Sequence, residues 1–158
     1  DDAIIRYVRN KYKIMIGEKT AEELKVKVGS AFRGSSDEKA SIKGRNLITG
    51  LPDEVSISSA EINEALKDSV TQIVDNVKLV LEKTPPELAA DIIEKGILMT
   101  GGGALLRNLD KLIEHETGVY VEVASNAVEA VAEGTGNVLS YLDKIHESME
   151  DRQISLVE

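Results

Sequence analysis

From Asp2 to about Lys13 the apolar residues Ile4, Ile5, Val8 and Tyr12 recur three and four apart, the spacing that lines one side of a helix. After a break at Gly17, the stretch TAEE from Thr20 to Glu23 has capping-box form: a hydroxyl can accept from first-turn amides while a carboxylate three residues on reaches back. A second helix is therefore expected to start at Thr20 and end near Gly29. Between Ala31 and Ser58 the texture changes. Partly alternating segments, Ser41 to Ile48 and Glu54 to Ser58, flank the turn-rich TGLPD and predict a small antiparallel sheet. Gly34 to Glu38 reads as a polar loop tip, the segment expected to move most.

A second capping box, SSAE from Ser58 to Glu61, precedes Ile62, Leu66, Val70, Ile73, Val77 and Leu81, which predict a helix of roughly six turns. TPPE then stops it and starts another, with Pro85 in the first turn and Leu88, Ile92 and Ile93 as the apolar stripe. Gly96 to Thr100 is a short apolar run, expected to be a strand buried on both faces. Leu105 to about His115 reads as helix and Gly118 to Val123 as a second strand. Val128 to Met149 reads as a long last helix through Val131, Val138, Leu142 and Ile145. Strand, helix, strand, helix in this order implies a right-handed crossover and two parallel strands, an α/β arrangement.

Composition narrows the functions open to such a chain. Its 158 residues are 42% hydrophobic, enough for one ordinary domain or two small lobes. Aromatics are only 3%, so aliphatic residues and Ala must form the core, and no stacking platform for single-stranded nucleic acid is expected. A net charge of −9, with basic residues interleaved among acids, argues against nucleic acid as a partner. With no Cys, disulfides and thiolate chemistry are excluded, and His115 and His146 are too few and too distant to suggest a metal centre. No stretch has the length of a membrane span or the form of a signal peptide, so the chain is expected to be soluble. It opens in mid-helix without an initiator Met, as a fragment of something longer would.

Between the first predicted strand and the helix after it stand Gly101, Gly102 and Gly103. Glycine is costly to order, so three together mean that bare backbone turns sharply or approaches something closely. At the carboxyl end of a strand in an α/β protein this is a usual place for a nucleotide. The spacing is neither GxGxxG nor GxxxxGK[ST], and the glycines alone leave a ligand site and a structural turn both open.

Several separated motifs nevertheless carry a resemblance. DDAIIRYVRNKYKIMIGEKTAEELKVKVGSA, GRNLITGLPDEVSIS, VLEKTPPELAADIIEKGILMTGGGALLRNLDKLI and AVAEGTG, in this order, resemble the MreB family of bacterial actin homologues across essentially the whole chain. The resemblance implies an α/β, actin-like fold of the Hsp70/hexokinase/actin superfamily, in which two lobes close on ATP or ADP with Mg2+. This chain would be the second lobe. Residues 1–28 and 70–150 would form a larger inner nucleotide-binding subdomain, residues 29–69 a small outer α+β one, and residues 151–158 an acidic tail.

The resemblance also implies site residues. Gly101, Gly102, Gly103 and Ala104 would pack backbone against the nucleoside and phosphates. Glu22 and Lys25, three apart on one helix face, match the Glu-x-x-Lys that holds ribose and adenine in this superfamily; Glu23 is expected to serve the capping box and leave Glu22 free. AVAEGTG resembles a connecting helix at which the lobes hinge, while Ser125 to Val128 departs from the acid and proline usual in the family. Phosphoryl transfer needs positioned Mg2+, phosphate donors and a group orienting water. In the family that the chain resembles these come from the first lobe and from interlobe loops missing here, so no ATPase activity is expected of this chain alone, and no catalytic residue is assigned.

The function implied is an ATP-binding cytoskeletal protein whose head-to-tail filaments control cell shape. It would be cytoplasmic and lie at the inner face of the membrane, with other subunits and membrane-linked adaptors as partners. Membrane contact would come only through the first lobe. Leu47, Ile48 and Leu51 at the hairpin turn are candidates for an apolar patch toward a neighbouring subunit, though burial within the small subdomain is expected. The competing reading is a non-catalytic scaffold with the same fold and weak or no nucleotide binding. An Hsp70-like ATPase is a third, which the GLPDEVSIS hairpin fits less well.

Overall fold

The computed structural model describes residues 1–32, 38–139 and 141. The helices α1 (Asp2–Tyr12) and α2 (Glu18–Val28) are joined through the short strand β1 (Ile14–Met15). Next come the hairpin strands β2 (Lys39–Asn46) and β3 (Pro52–Ser58), then the long helix α3 (Ser59–Lys83) and α4 (Pro86–Lys95). The strands β4 (Ile97–Met99) and β5 (Val121–Val123) flank a 3-10 turn (Gly102–Leu105) and α5 (Leu109–Thr117), and α6 (Ala130–Leu139) follows. The polar loop expected at Gly34 to Glu38 falls, except for Glu38, outside the described residues, as do the predicted helix beyond Tyr141 and the acidic tail.

The hairpin forms where the alternating segments predicted it. Lys39 pairs with Ser58 and Arg45 with Pro52 in an antiparallel register. The alternation buries Ala40, Ile42 and Ile57 on one face. A third strand that periodicity missed, β1, pairs with the end of β2, Ile14 opposite Asn46 and Met15 opposite Arg45. Two residues are too short to show a period, and the approach needs Gly44. A Cβ there would stand 2.4 Å from Ile14 Cγ2 and 2.5 Å from the Met15 carbonyl oxygen.

α3 begins as predicted. Ser58 is its N-cap, the Glu61 amide donates to Ser58 Oγ at 3.4 Å, and the Ser58 amide donates back to Glu61 Oε2 at 2.9 Å. The same Glu61 accepts from Lys11 at 2.8 Å and from the Tyr12 hydroxyl, pinning α1 to α3. Burial works to raise the Glu61 pKa, but the donors Lys11, Tyr12 and Ser58 outweigh it and hold the carboxylate down at about 2. The bond to Glu61, with burial adding, pushes Tyr12 up to about 12.

α2 corrects one expectation. It starts at Glu18 with Gly17 as N-cap and no side-chain cap, so Thr20 and Glu23 lie inside the helix and form no capping box. Gly17 in extended conformation is an acceptable N-cap and Glu18 suits the first turn, so the helix is capped three residues earlier than Thr20. Glu22 consequently sits in the second turn. Pro85 is likewise the N-cap of α4, and Pro86 is its first helical residue.

The core joins Ile4 and Val8 of α1, Leu24 and Val28 of α2, Ile57 of the hairpin, and Ile62, Leu66, Val70 and Val74 of α3. Leu109 and Ile113 of α5 and Val121 of β5 extend it. At about 1.5 Å per residue, α1 covers only the first half of α3. Around and beyond Val74 the α3 stripe is only partly covered: Ile73, Asn76, Val77, Val80 and Leu81 line with Ile92 and Ile97 a largely apolar groove of about 500 Å³, of which Val77 and Ile97 also pack against the core. β4 and β5 pair in parallel, Ile97 with Val121 and Met99 with Val123, as strand-helix-strand order predicted. They are a two-stranded sheet among the described residues. β4 is therefore not buried on both faces: Leu98 is exposed, and Ile97 and Met99 are half-buried.

Candidate functional site

The glycine triplet lies where β4 ends. The Ala124 amide donates to the Met99 carbonyl at 3.0 Å and the Gly101 amide to the Ala127 carbonyl at 2.6 Å, so the turn is anchored to the segment after β5. Gly101 has φ 85, a region open to glycine but strained for other residues, and it caps the 3-10 turn. The Ala104 amide donates to the Gly101 carbonyl at 3.1 Å and the Leu106 amide to the Gly103 carbonyl at 3.2 Å. Ala104 is buried and fastens the turn from beneath. The α-helix expected from Leu105 starts only at Leu109, because the left-handed Asn108 separates it from the 3-10 turn.

The three glycines are not equivalent. Gly101 is required by its backbone angle, whereas Gly102 and Gly103 carry no such angle, are exposed, and have no heavy atom within 4 Å of where a Cβ would stand. The fold itself gives no reason for glycine at 102 and 103. From Thr100 to Leu106 there is no acidic side chain, and the first charge is Arg107.

Glu22 and Lys25 share one face of α2. Glu22 is exposed, and Lys25 is half-buried with its ammonium 2.8 Å from Asp1 Oδ1. No hydrogen bond or ion pair joins the side chain of either to Gly101–Gly103. What is joined is the end of α2 and the residues after the glycine turn: the Ala31 amide donates to the Arg107 carbonyl at 2.8 Å, and Arg107 Nη2 donates to the Lys27 carbonyl. Asn108 Nδ2 donates to Ser30 Oγ at 3.1 Å. Arg107 and Asn108 were not singled out by motif reading. The available signal was an Asn directly ahead of an apolar helix, since Asn tolerates the left-handed conformation.

The sequence expectation of burial at the hairpin turn is overturned. Ile48 is 80% and Leu51 65% exposed, because Asn46, Thr49 and Asp53 turn their polar groups onto the turn and one another. Asn46 Oδ1 accepts from the Ile48 amide at 2.8 Å, and Asn46 Nδ2 donates to Asp53 at 2.9 Å. Among the described residues no cluster of three or more His or acidic side chains is placed to hold a metal ion, and no helix is long and apolar enough to cross a membrane.

Comparison with known proteins places this geometry in context. The MreB/Mbl protein family model matches residues 1–147. The chain is 48% identical over 145 residues to the cell shape-determining protein Mbl of Bacillus subtilis, covering 92% of this chain and 44% of that protein. It is 49% identical over 143 residues to the cell shape-determining protein MreB of Escherichia coli, covering 90% and 41%. Among solved structures, MreB5 of Spiroplasma citri bound to ADP superimposes with a TM-score of 0.84 at 40% identity, over 94% of this chain and 44% of that one. The fold is thus actin-like, and the chain spans less than half the length of these relatives.

Proposed function

The chain belongs to the MreB/Mbl family, and from that premise we propose that it forms the second lobe of an actin-like protein that binds ATP or ADP with Mg2+ and assembles into filaments controlling cell shape. One observation carries the nucleotide assignment. Gly102 and Gly103 leave open, acid-free backbone at the carboxyl end of a parallel strand, where the fold does not need glycine. A phosphate-bearing ligand fits such a surface because it meets no like charge and no Cβ. The MreB5 structures, solved with ADP and with AMPPNP, support the reading.

In this proposal the backbone of Gly101–Gly103 meets the nucleoside and phosphates, with Ala104 fixing the turn from the core side. Glu22 accepts from the ribose hydroxyls and Lys25 lies against the base. The nucleotide with its metal, when bound, supplies the phosphoryl-transfer chemistry. No side chain of this chain is assigned a catalytic role. We assign residues 1–28 and 70–150 to an inner subdomain and 29–69 to an outer one, with α3 running unbroken across the boundary.

The exposed Leu47, Ile48 and Leu51 then form the outer subdomain's contact with another subunit. Membrane-linked cell-shape adaptors are further partners, and the filaments lie on the cytoplasmic face of the membrane. The test is titration of ATP and Mg2+ into the intact protein and its Gly102→Val variant, with binding and pelletable polymer both recorded. Wild type is expected to bind and the variant to lose binding while unfolding at the same temperature. Polymer formed by a wild type that binds no nucleotide would establish the scaffold reading instead.

A further inference from the structure

Hydrogen bonds outside any regular helix or sheet converge where α2 ends. The helix leaves its last carbonyls without helical partners, and one of them, Lys27, accepts from Arg107 Nη2. Arg107 Nη1 donates to Glu38 Oε2 at 3.0 Å, immediately before β2. One residue on, Asn108 has φ 60 and donates to Ser30 Oγ at 3.1 Å. Ser30 is buried, its carbonyl accepts from Asn63 Nδ2 of α3 at 2.9 Å, and its hydroxyl donates to the Phe32 carbonyl at 3.0 Å.

A plain brace between two helices would explain some of this. It does not explain why both anchoring residues directly follow the glycine turn. Nor does it explain why Arg107 divides its guanidinium between α2 and Glu38. Lys25 lies in the same last turn of α2 as Lys27, with Glu22 one turn earlier, and Arg107 follows the 3-10 turn through the single residue Leu106. Whatever ties Lys27 and Ser30 to residues 107–108 therefore sets the relation between the two halves of the nucleotide site.

We propose that Arg107 and Asn108 are positioning residues, which clamp α2 to the glycine turn so that Glu22/Lys25 and Gly101–Gly103 engage one nucleotide together. Through its second bond, to Glu38, Arg107 extends that link to the base of the outer hairpin. The inference rests on the nucleotide reading above. Two half-sites held in fixed relation bind as a chelate, the second contact following the first at high effective concentration. Released from one another, each half contributes little to the other.

The experiment is a double-mutant cycle on the intact protein, following binding of fluorescent ATP with Mg2+, with thermal unfolding measured on the same samples. Lys25→Ala, Arg107→Ala and their combination are compared with wild type. Arg107→Ala is expected to weaken nucleotide binding, and Lys25→Ala to cost at least about fivefold less in that background than in wild type, within the usual range of coupling between linked sites. A brace that serves only folding lowers the unfolding temperature and leaves the cost of Lys25→Ala equal in both backgrounds, which overturns the inference. Asn108→Gly, which keeps the left-handed backbone and deletes the amide, replaces Arg107→Ala in the cycle if the latter does not fold. Wild type failing to bind nucleotide overturns the nucleotide reading itself.

Discussion

α3 and α4 follow one another across an elbow of two prolines, and both carry an apolar stripe at helical spacing. α3 buries Ile62, Leu66, Val70 and Val74, while no residue of α4 is buried and Ile93 is 72% exposed. The same contrast holds more widely. α1, α2, the hairpin and the first half of α3 close on one another, whereas β4, α4 and α6 present Leu98, Leu88, Val131 and Val138 to solvent. A periodic stripe states that a helix has an apolar face; it does not state that this chain supplies the cover. In the first region the chain completes its own packing. In the second, apolar surface and bare glycine backbone face outward together.

That contrast can be broken most directly by truncation. Ile62→Ala removes a fully buried side chain and is expected to cost about 2–5 kcal/mol, while Ile93→Ala is expected to change stability by less than about 0.5 kcal/mol, both read from urea unfolding of the chain. Comparable losses would mean that α4 is covered after all. Gly44→Ala comes next: the new methyl meets Ile14 and the Met15 carbonyl, so β1 must shift, at about 1–3 kcal/mol in the same assay.

The smallest effect concerns Glu61. Its folded pKa of about 2 lies below the ordinary 4.5, so its contribution is present above pH 4.5 and is lost as pH falls from there toward 2. Stability measured across that window should decline in wild type and decline less in Glu61→Gln, which cannot titrate. An unchanged slope in the variant would assign the acid sensitivity to other carboxylates.

The sequence made the order of elements legible, together with the hairpin, the parallel pair and the Ser58 capping box, because each rests on a local period or a local hydrogen bond. It misplaced what is decided by competition between neighbouring groups or by distant partners. TAEE at Thr20 had the right letters for a cap, but Gly17 started the helix first. Leu47, Ile48 and Leu51 looked like core because they are apolar; the polar groups that would ordinarily face water are instead used by the turn itself. For the candidate site, the glycines were legible as a cluster, but not that Gly101 answers to its own backbone while Gly102 and Gly103 do not. The pairing of Arg107 and Asn108 with Lys27 and Ser30 was not legible, because those partners lie some 80 residues earlier in the chain.

α3 follows β3 without an intervening residue, its first helical position being Ser59 directly after Ser58. Its 25 residues make a rod about 37 Å long, fixed near one end to the hairpin and to α1 through Glu61. Hairpin and helix are therefore joined without a linker, so a change in the direction of one is passed to the other. A tilt of about 3° at the proline elbow moves the opposite end by about 2 Å over that length. The exposed Ile48 and Leu51 at the tip of the hairpin are carried with it.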